Sequence, residues 1–102
     1  MDSEILWTEQ ALQQLEEILD YFILRNGSDN YSRKLKLSIE EKLVRLIKNP
    51  LSGIPTSNEK YRIIVIENYL VYYTLNPITV MLIWDARRNP DDLDDEITKF
   101  PS

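Results

Sequence analysis

The chain contains neither cysteine nor histidine. Without cysteine there is no disulfide framework and no thiolate metal site. Without histidine the commonest metal ligand and the usual general base near neutral pH are both missing. Zinc sites and Cys- or His-dependent nucleophiles are therefore excluded, and neither a metal nor another cofactor is expected. Long apolar runs are absent too. The first residues carry Asp2, Glu4 and Glu9, and nothing approaches a membrane span, so no signal peptide or membrane contact is expected and the cytoplasm is the expected compartment. No internal repeat or low-complexity tract interrupts the 102 residues. That length suits one domain burying about two-thirds of the surface its unfolded form exposes.

Charge is unevenly spread. The net value of −5 divides into −3 over residues 1–59, +2 over 60–90 and −4 over 91–102. Overall acidity argues against non-specific nucleic-acid binding, whose strength comes mostly from neutralised phosphates, while the cations within 60–90 suffice to hold one phosphate. The run Asp91-Asp92-Leu93-Asp94-Asp95-Glu96 lacks the glycine and spacing of an EF-hand loop. It reads as a solvated terminus, giving one domain over residues 1–90 and an acidic tail over 91–102.

Strand-like sequence concentrates between Tyr61 and Pro90. Residues 61–66, 69–75 and 78–84 are dense in β-branched and aromatic types. Glu67-Asn68 is a two-residue link, and Asn76-Pro77 supplies positions i and i+1 of a type I turn, so the three strands form an antiparallel meander. A parallel pairing would need a long crossover. Polar alternation is missing. Tyr61, Ile63 and Val65 point one way and Arg62, Ile64 and Ile66 the other, so both faces need cover, and another chain is a candidate for one of them.

Upstream, residues 4–7 are a short extended stretch ended by Thr8, which fits a helix N-cap. Ala11, Leu12, Leu15, Ile18, Leu19, Phe22 and Ile23 then recur at helical spacing, opposite Gln10, Gln13, Gln14, Glu16, Glu17 and Asp20. Gly27 ends that helix and Ser28 is the expected cap of the next. In the second helix Tyr31, Leu35, Ile39, Leu43, Leu46 and Ile47 form the core stripe, stopped by Asn49-Pro50. The first helix is acidic outside and the second basic, with Arg33, Lys34, Lys36, Lys42, Arg45 and Lys48, so ion pairs across the hairpin and an i,i+4 pair Glu41-Arg45 are expected. The basic face reads as a solvated surface before it reads as a nucleic-acid interface. Leu37 and Val44 lie roughly 140–160° from the centre of the core stripe. They are either partner contacts or isolated exposed apolar residues. Residues 50–60 form a loop by their Pro, Gly, Ser and Asn content, with Lys60 its one cation.

Several features together carry a resemblance. They are the order β-α-α-β-β-β, the phrase Leu46-Ile47-Lys48-Asn49-Pro50-Leu51-Ser52-Gly53, Tyr61-Arg62 opening a strand, Tyr69 to Tyr73 in the next, and Arg87-Arg88-Asn89-Pro90 closing the last. This arrangement resembles the RelE/ParE toxin superfamily over about residues 4–90. The resemblance implies an α+β fold, a helical hairpin packed on a small antiparallel β-sheet. It also implies the toxin half of a type II toxin–antitoxin pair, whose cognate antitoxin wraps it with a flexible segment.

The superfamily holds ribosome-dependent mRNA endonucleases like RelE and gyrase-poisoning members like ParE, so fold does not decide activity. The nuclease reading, with ribosome and mRNA as partners, would use Arg62, Arg87 and Arg88 on the scissile phosphate, beside groups that move protons. This chain departs from that pattern. The loop before Tyr61 lacks a lysine cluster, Asp85 stands near where a histidine is often found, and no tyrosine follows Arg88. Tyr61, Tyr69, Tyr72 and Tyr73 offer hydroxyls, but aromatic strand residues read first as core. The favoured reading is a ParE-like toxin that does not cut RNA and acts on a protein such as DNA gyrase. Arg62, Arg87, Arg88 and Lys60 then bind a partner, or the arginines are held by Asp85 and the acidic tail. An antitoxin is the expected partner, with a second copy of the chain as another candidate cover. A RelE-fold interaction protein without toxicity is the third reading.

Overall fold

Thr8 caps the first helix as its position implies. Its hydroxyl accepts from the Ala11 N–H at 3.1 Å while its own backbone stays extended. Helix α1 runs Glu9–Asn26 and closes at Gly27, whose φ of 69° is the left-handed conformation open to glycine. Helix α2 spans Asn30–Lys48. Its N-cap is Asp29 and not Ser28, and the Asp29 side chain makes no capping bond because its carboxylate is spent on Arg33, 2.9 Å away. The Ser32 hydroxyl donates to the Leu19 carbonyl at 2.7 Å and ties the two helices together.

This computed structural model describes residues 5–88. Glu4, the Asn89-Pro90 pair and the expected acidic tail 91–102 lie outside the described residues. The strands are β1 (Leu6–Trp7), β2 (Ile54–Pro55), β3 (Tyr61–Ile66), β4 (Tyr69–Thr74) and β5 (Thr79–Asp85), in the order β1-β5-β4-β3-β2. The expected meander β3-β4-β5 is antiparallel throughout. Three features correct the sequence reading. β1 pairs parallel to β5, which makes the sheet mixed, and the two helices lie within the long crossover such a pairing needs. The 50–60 loop contains a 3₁₀ turn, Pro50–Ser52, and the edge strand β2, where Pro55 is tolerated because an edge leaves one side unpaired. The link between β4 and β5 is not a type I turn, since Asn76 takes a φ of 56° and its bond to Pro77 is cis.

One sheet face packs on the hairpin. Ala11, Leu35, Ile39, Leu43 and Leu46 meet Ile66, Tyr69, Val71, Tyr73, Val80 and Ile83, with Leu15, Ile18, Leu19 and Phe22 half-buried against them. Leu12, Ile23 and Tyr31, expected in the stripes, are exposed, since each lies at the margin of its helix's buried face. Gln14, expected outside, turns inward instead. Its side-chain oxygen accepts from the Ile83 N–H at 2.8 Å. Among the described residues no ion pair crosses the hairpin and Glu41 does not pair with Arg45, consistent with how little exposed pairs gain over hydration. The other sheet face buries Tyr72, Leu82 and Trp84, with Ile63, Leu70 and Met81 packed around them. Both faces are thus apolar, as the missing alternation implied.

Candidate functional site

Arg62 and Tyr73 sit opposite each other on β3 and β4, on the hairpin side of the sheet. A guanidinium at an inward position needs acceptors, and the neighbouring loop provides carbonyls that have no strand partner. Arg62 Nη1 donates to Leu51 O at 3.1 Å and to Gly53 O at 2.8 Å. The Tyr73 hydroxyl donates to Pro50 O at 2.8 Å and accepts from the Gly53 N–H at 3.0 Å. Four backbone groups of the loop are therefore held by two side chains. Gly53 is required there, because a Cβ would run into the Tyr73 hydroxyl and lie 2.9 Å from Ile63 O. Burial raises the Tyr73 hydroxyl above its ordinary pKa, against the Gly53 hydrogen bond and the Arg62 charge, and keeps it a neutral donor.

A second cluster closes β5. Asp85 receives Arg87 three times, from its N–H at 2.9 Å, Nε at 3.0 Å and Nη2 at 2.9 Å. The Arg87 hydrogen bond holds the Asp85 carboxyl below the usual carboxylate range and outweighs its partial burial. Arg88 lies with its guanidinium carbon 4.1 Å from the centre of the Trp84 ring, a cation–π contact. Tyr69, directly across from Asp85, is raised by burial first and by the Asp85 charge second.

These clusters do not converge. Arg62 shares a register row with Tyr73 and Val80, whereas Asp85 shares one with Tyr69. Four residues along β4 and two strands across separate them by roughly 16 Å. Arg88 also differs in face, since the Trp84 ring under it belongs to the outer cluster and Tyr73 to the hairpin side. Tyr61, Tyr69, Tyr72 and Tyr73 are all buried, which agrees with their reading as core. Lys60 is exposed at the tip of the turn before β3, where its N–H donates to Asn58 Oδ1 at 3.0 Å. Leu37 and Val44 are both 57% exposed on α2.

A family model described as the ParE toxin of type II toxin–antitoxin systems, parDE, matches residues 5–90. The chain belongs to that family. A solved structure described as the chromosomal ParDE toxin–antitoxin system from P. aeruginosa contains a chain with the same fold. Its TM-score is 0.69 at 20% identity, covering 82% of this chain and 96% of that one. No individual curated protein shows significant similarity to the chain.

The toxin also carries concave surfaces that its sequence did not disclose. A groove of about 810 Å³ runs between the C-terminal half of α2 and the β3 edge, with Lys42, Arg45 and Lys48 on one wall and Leu51, Ile54 and Val65 on the other. A smaller groove of about 330 Å³ lies between α1 and the end of β5, lined by Tyr21, Phe22, Tyr69, Asp85 and Arg87. The readable signal for the first was the three-residue spacing of the α2 cations. What the spacing did not disclose was that β2 stops short and leaves the strand edge beside them uncovered.

Proposed function

We propose that this ParE-family toxin inhibits growth by binding a protein target of the DNA gyrase class and that it does not cut mRNA. The observation that carries this reading is the commitment of the three arginines. Arg62 is spent on the loop carbonyls, Arg87 is chelated by Asp85, Arg88 rests on Trp84, and the first lies across the sheet from the other two. In-line RNA cleavage needs cations gathered on one phosphate and groups that exchange protons near neutral pH. Arginine is too basic for the second task, and Tyr69 and Tyr73 are both shifted upward, away from it. The neutralising partner is an antitoxin, and the toxin unit is residues 1–90, with the acidic segment 91–102 outside it. Among the described residues no helix is long and apolar enough to cross a membrane, and the cytoplasm, where gyrase and ribosomes are found, is the proposed compartment.

The test is expression of the chain with and without its antitoxin, followed by two assays on purified protein. Growth arrest, inhibited supercoiling and intact mRNA ends on translating ribosomes are the expected results. Codon-phased mRNA cuts that vanish on Arg87→Ala or Arg88→Ala, with supercoiling unaffected, would establish the RelE-like alternative. Absence of growth arrest would leave a non-toxic interaction protein. Light scattering of the isolated chain separates a monomer that relies on its antitoxin from a self-associating one.

A further inference from the structure

We propose that the chain's own C-terminal segment, residues 91–102, lies as an amphipathic helix on the outer face of the sheet and closes it over β4 and β5. The first argument is burial. Two register rows cross that face, Ile63-Tyr72-Leu82 and Val65-Leu70-Trp84. Leu82 is fully buried, and Trp84 and Tyr72 are 2% and 4% exposed, although α1 and α2 pack on the other face. In a single layer of side chains the outermost ones meet water, so a tryptophan, a tyrosine and a leucine hidden side by side require a second layer. Their neighbours Ile63, Leu70 and Met81 belong to the same three strands and do not supply it. Burial also has a direction. It deepens from Ile63 to Leu82 in the first row, and from the exposed Val65 to Trp84 in the second. The cover therefore sits over β5, the strand from which the C-terminal segment leaves.

The second argument is the path of the chain. After β5 the Arg88 N–H donates to Asp85 O at 3.0 Å, in a turn that lays the Arg88 guanidinium over the Trp84 ring. The chain is thus delivered to the outer face as β5 ends. One exposed arginine covers part of one ring and leaves Tyr72 and Leu82 to another group. The other end of the chain does not compete, because β1 runs parallel to β5 and its Leu6 pairs with Thr79, at the strand end remote from Trp84. The third argument is sequence. Leu93, Ile97 and Phe100 are spaced by four and three residues, which makes one narrow apolar edge on a helix, with Asp91, Asp92, Asp94 and Asp95 turned away from it. From Leu93 to Phe100 such a helix spans roughly 10 Å, about the distance across β3, β4 and β5. The carboxylates that make the segment read as a solvated terminus then face water. The family match ends at residue 90, so this cover is an addition to the toxin unit.

The experiment uses the full chain. With Trp7→Phe, Trp84 is the one tryptophan left, and its quenching by acrylamide reports whether the face is closed. The expected result is a protected Trp84 that loses its protection in Leu93→Ser/Ile97→Ser/Phe100→Ser and keeps it in Asp91→Asn/Asp94→Asn, with a thermal melt confirming that each variant is folded. A second measurement leaves the apolar edge intact. A spin label on Thr98→Cys, in a chain with no other cysteine, is expected to broaden the methyl signals of Leu70, Met81 and Leu82 and to spare Leu37 on α2. Unchanged quenching in the folded triple variant, or outer-face methyls left sharp by the label, overturns the inference. Broadening that passes from a spin-labelled chain to a separate, isotope-labelled one assigns the cover to a second copy and overturns it as well. These readouts do not involve growth arrest or antitoxin binding, so the toxin–antitoxin reading stands or falls separately.

Discussion

Tyr73→Phe removes one oxygen and tests whether the 50–53 loop is held by side chains. The ring, fully buried, stays in place, so little apolar contact is lost. What goes is the acceptor of the Gly53 N–H and the donor to Pro50 O. An unsatisfied buried polar group costs about 1–3 kcal/mol, and the Pro50 bond is only partly buried, so the two together come to about 2–3 kcal/mol. For a domain of this size that lowers Tm by roughly 10 °C. Urea unfolding should show a lower midpoint with unchanged slope, the mark of a stability change without altered compactness. Arg62→Ala should also destabilise. Because both side chains hold one loop, the double variant should fall short of the sum by about 0.5 kcal/mol or more. A Tyr73→Phe effect below half a kcal/mol, or strict additivity with Arg62→Ala, would refute the clamp and release Arg62 for another role.

Leu35→Ala and Ile39→Ala, at 2% exposure each, should each cost about 2–5 kcal/mol by denaturant unfolding, against less than about half a kcal/mol for Leu37→Ala on the outer face. Thr8→Ala should cost about 0.5–2 kcal/mol by removing the cap on Ala11 N–H, measured the same way. Arg87→Ala should move Asp85 back up toward the ordinary carboxylate range in an NMR titration, and an unchanged titration would contradict the pairing. The sign for stability follows from the lowered folded-state pKa. The pair's contribution is present above the unfolded-state pKa of about 3.9 and is lost as pH falls through the lower folded value.

The elements legible in the sequence were those with one dominant period. The α2 stripe through Leu35, Ile39, Leu43 and Leu46 and the three long strands had no competing assignment, and Thr8 and Gly27 marked α1 by side-chain and backbone chemistry. β2 is two residues long and half proline, so nothing local distinguishes it from loop. The parallel pairing of β1 with β5 depends on where the helical crossover delivers the chain, a tertiary outcome with no signal inside Leu6–Trp7. The bulge that sets Tyr72 against Leu82 but Tyr73 against Val80 shifts the facing of β5 by one residue, which a strict period of two does not contain.

For the site, the sequence reading named Arg62, Arg87 and Arg88 and left their role open. Arg62 shares strand parity with Ile64 and Ile66, whose side face meets the hairpin, so its guanidinium had to find acceptors inside the fold. The 50–60 segment, rich in residues that break strand pairing, was the nearest source of uncommitted carbonyls. Parity therefore contained the clamp, provided that the covered face was known. Arg87 required only Asp85 two residues earlier and is explained locally. Lys42, Arg45 and Lys48, which have no ion-pair partner among the described residues, read in the sequence as part of an ordinary solvated helix face. The β3 edge beside them is left uncovered because β2 is short. A groove made from the end of one element and the edge of another has no footprint in either element's own sequence.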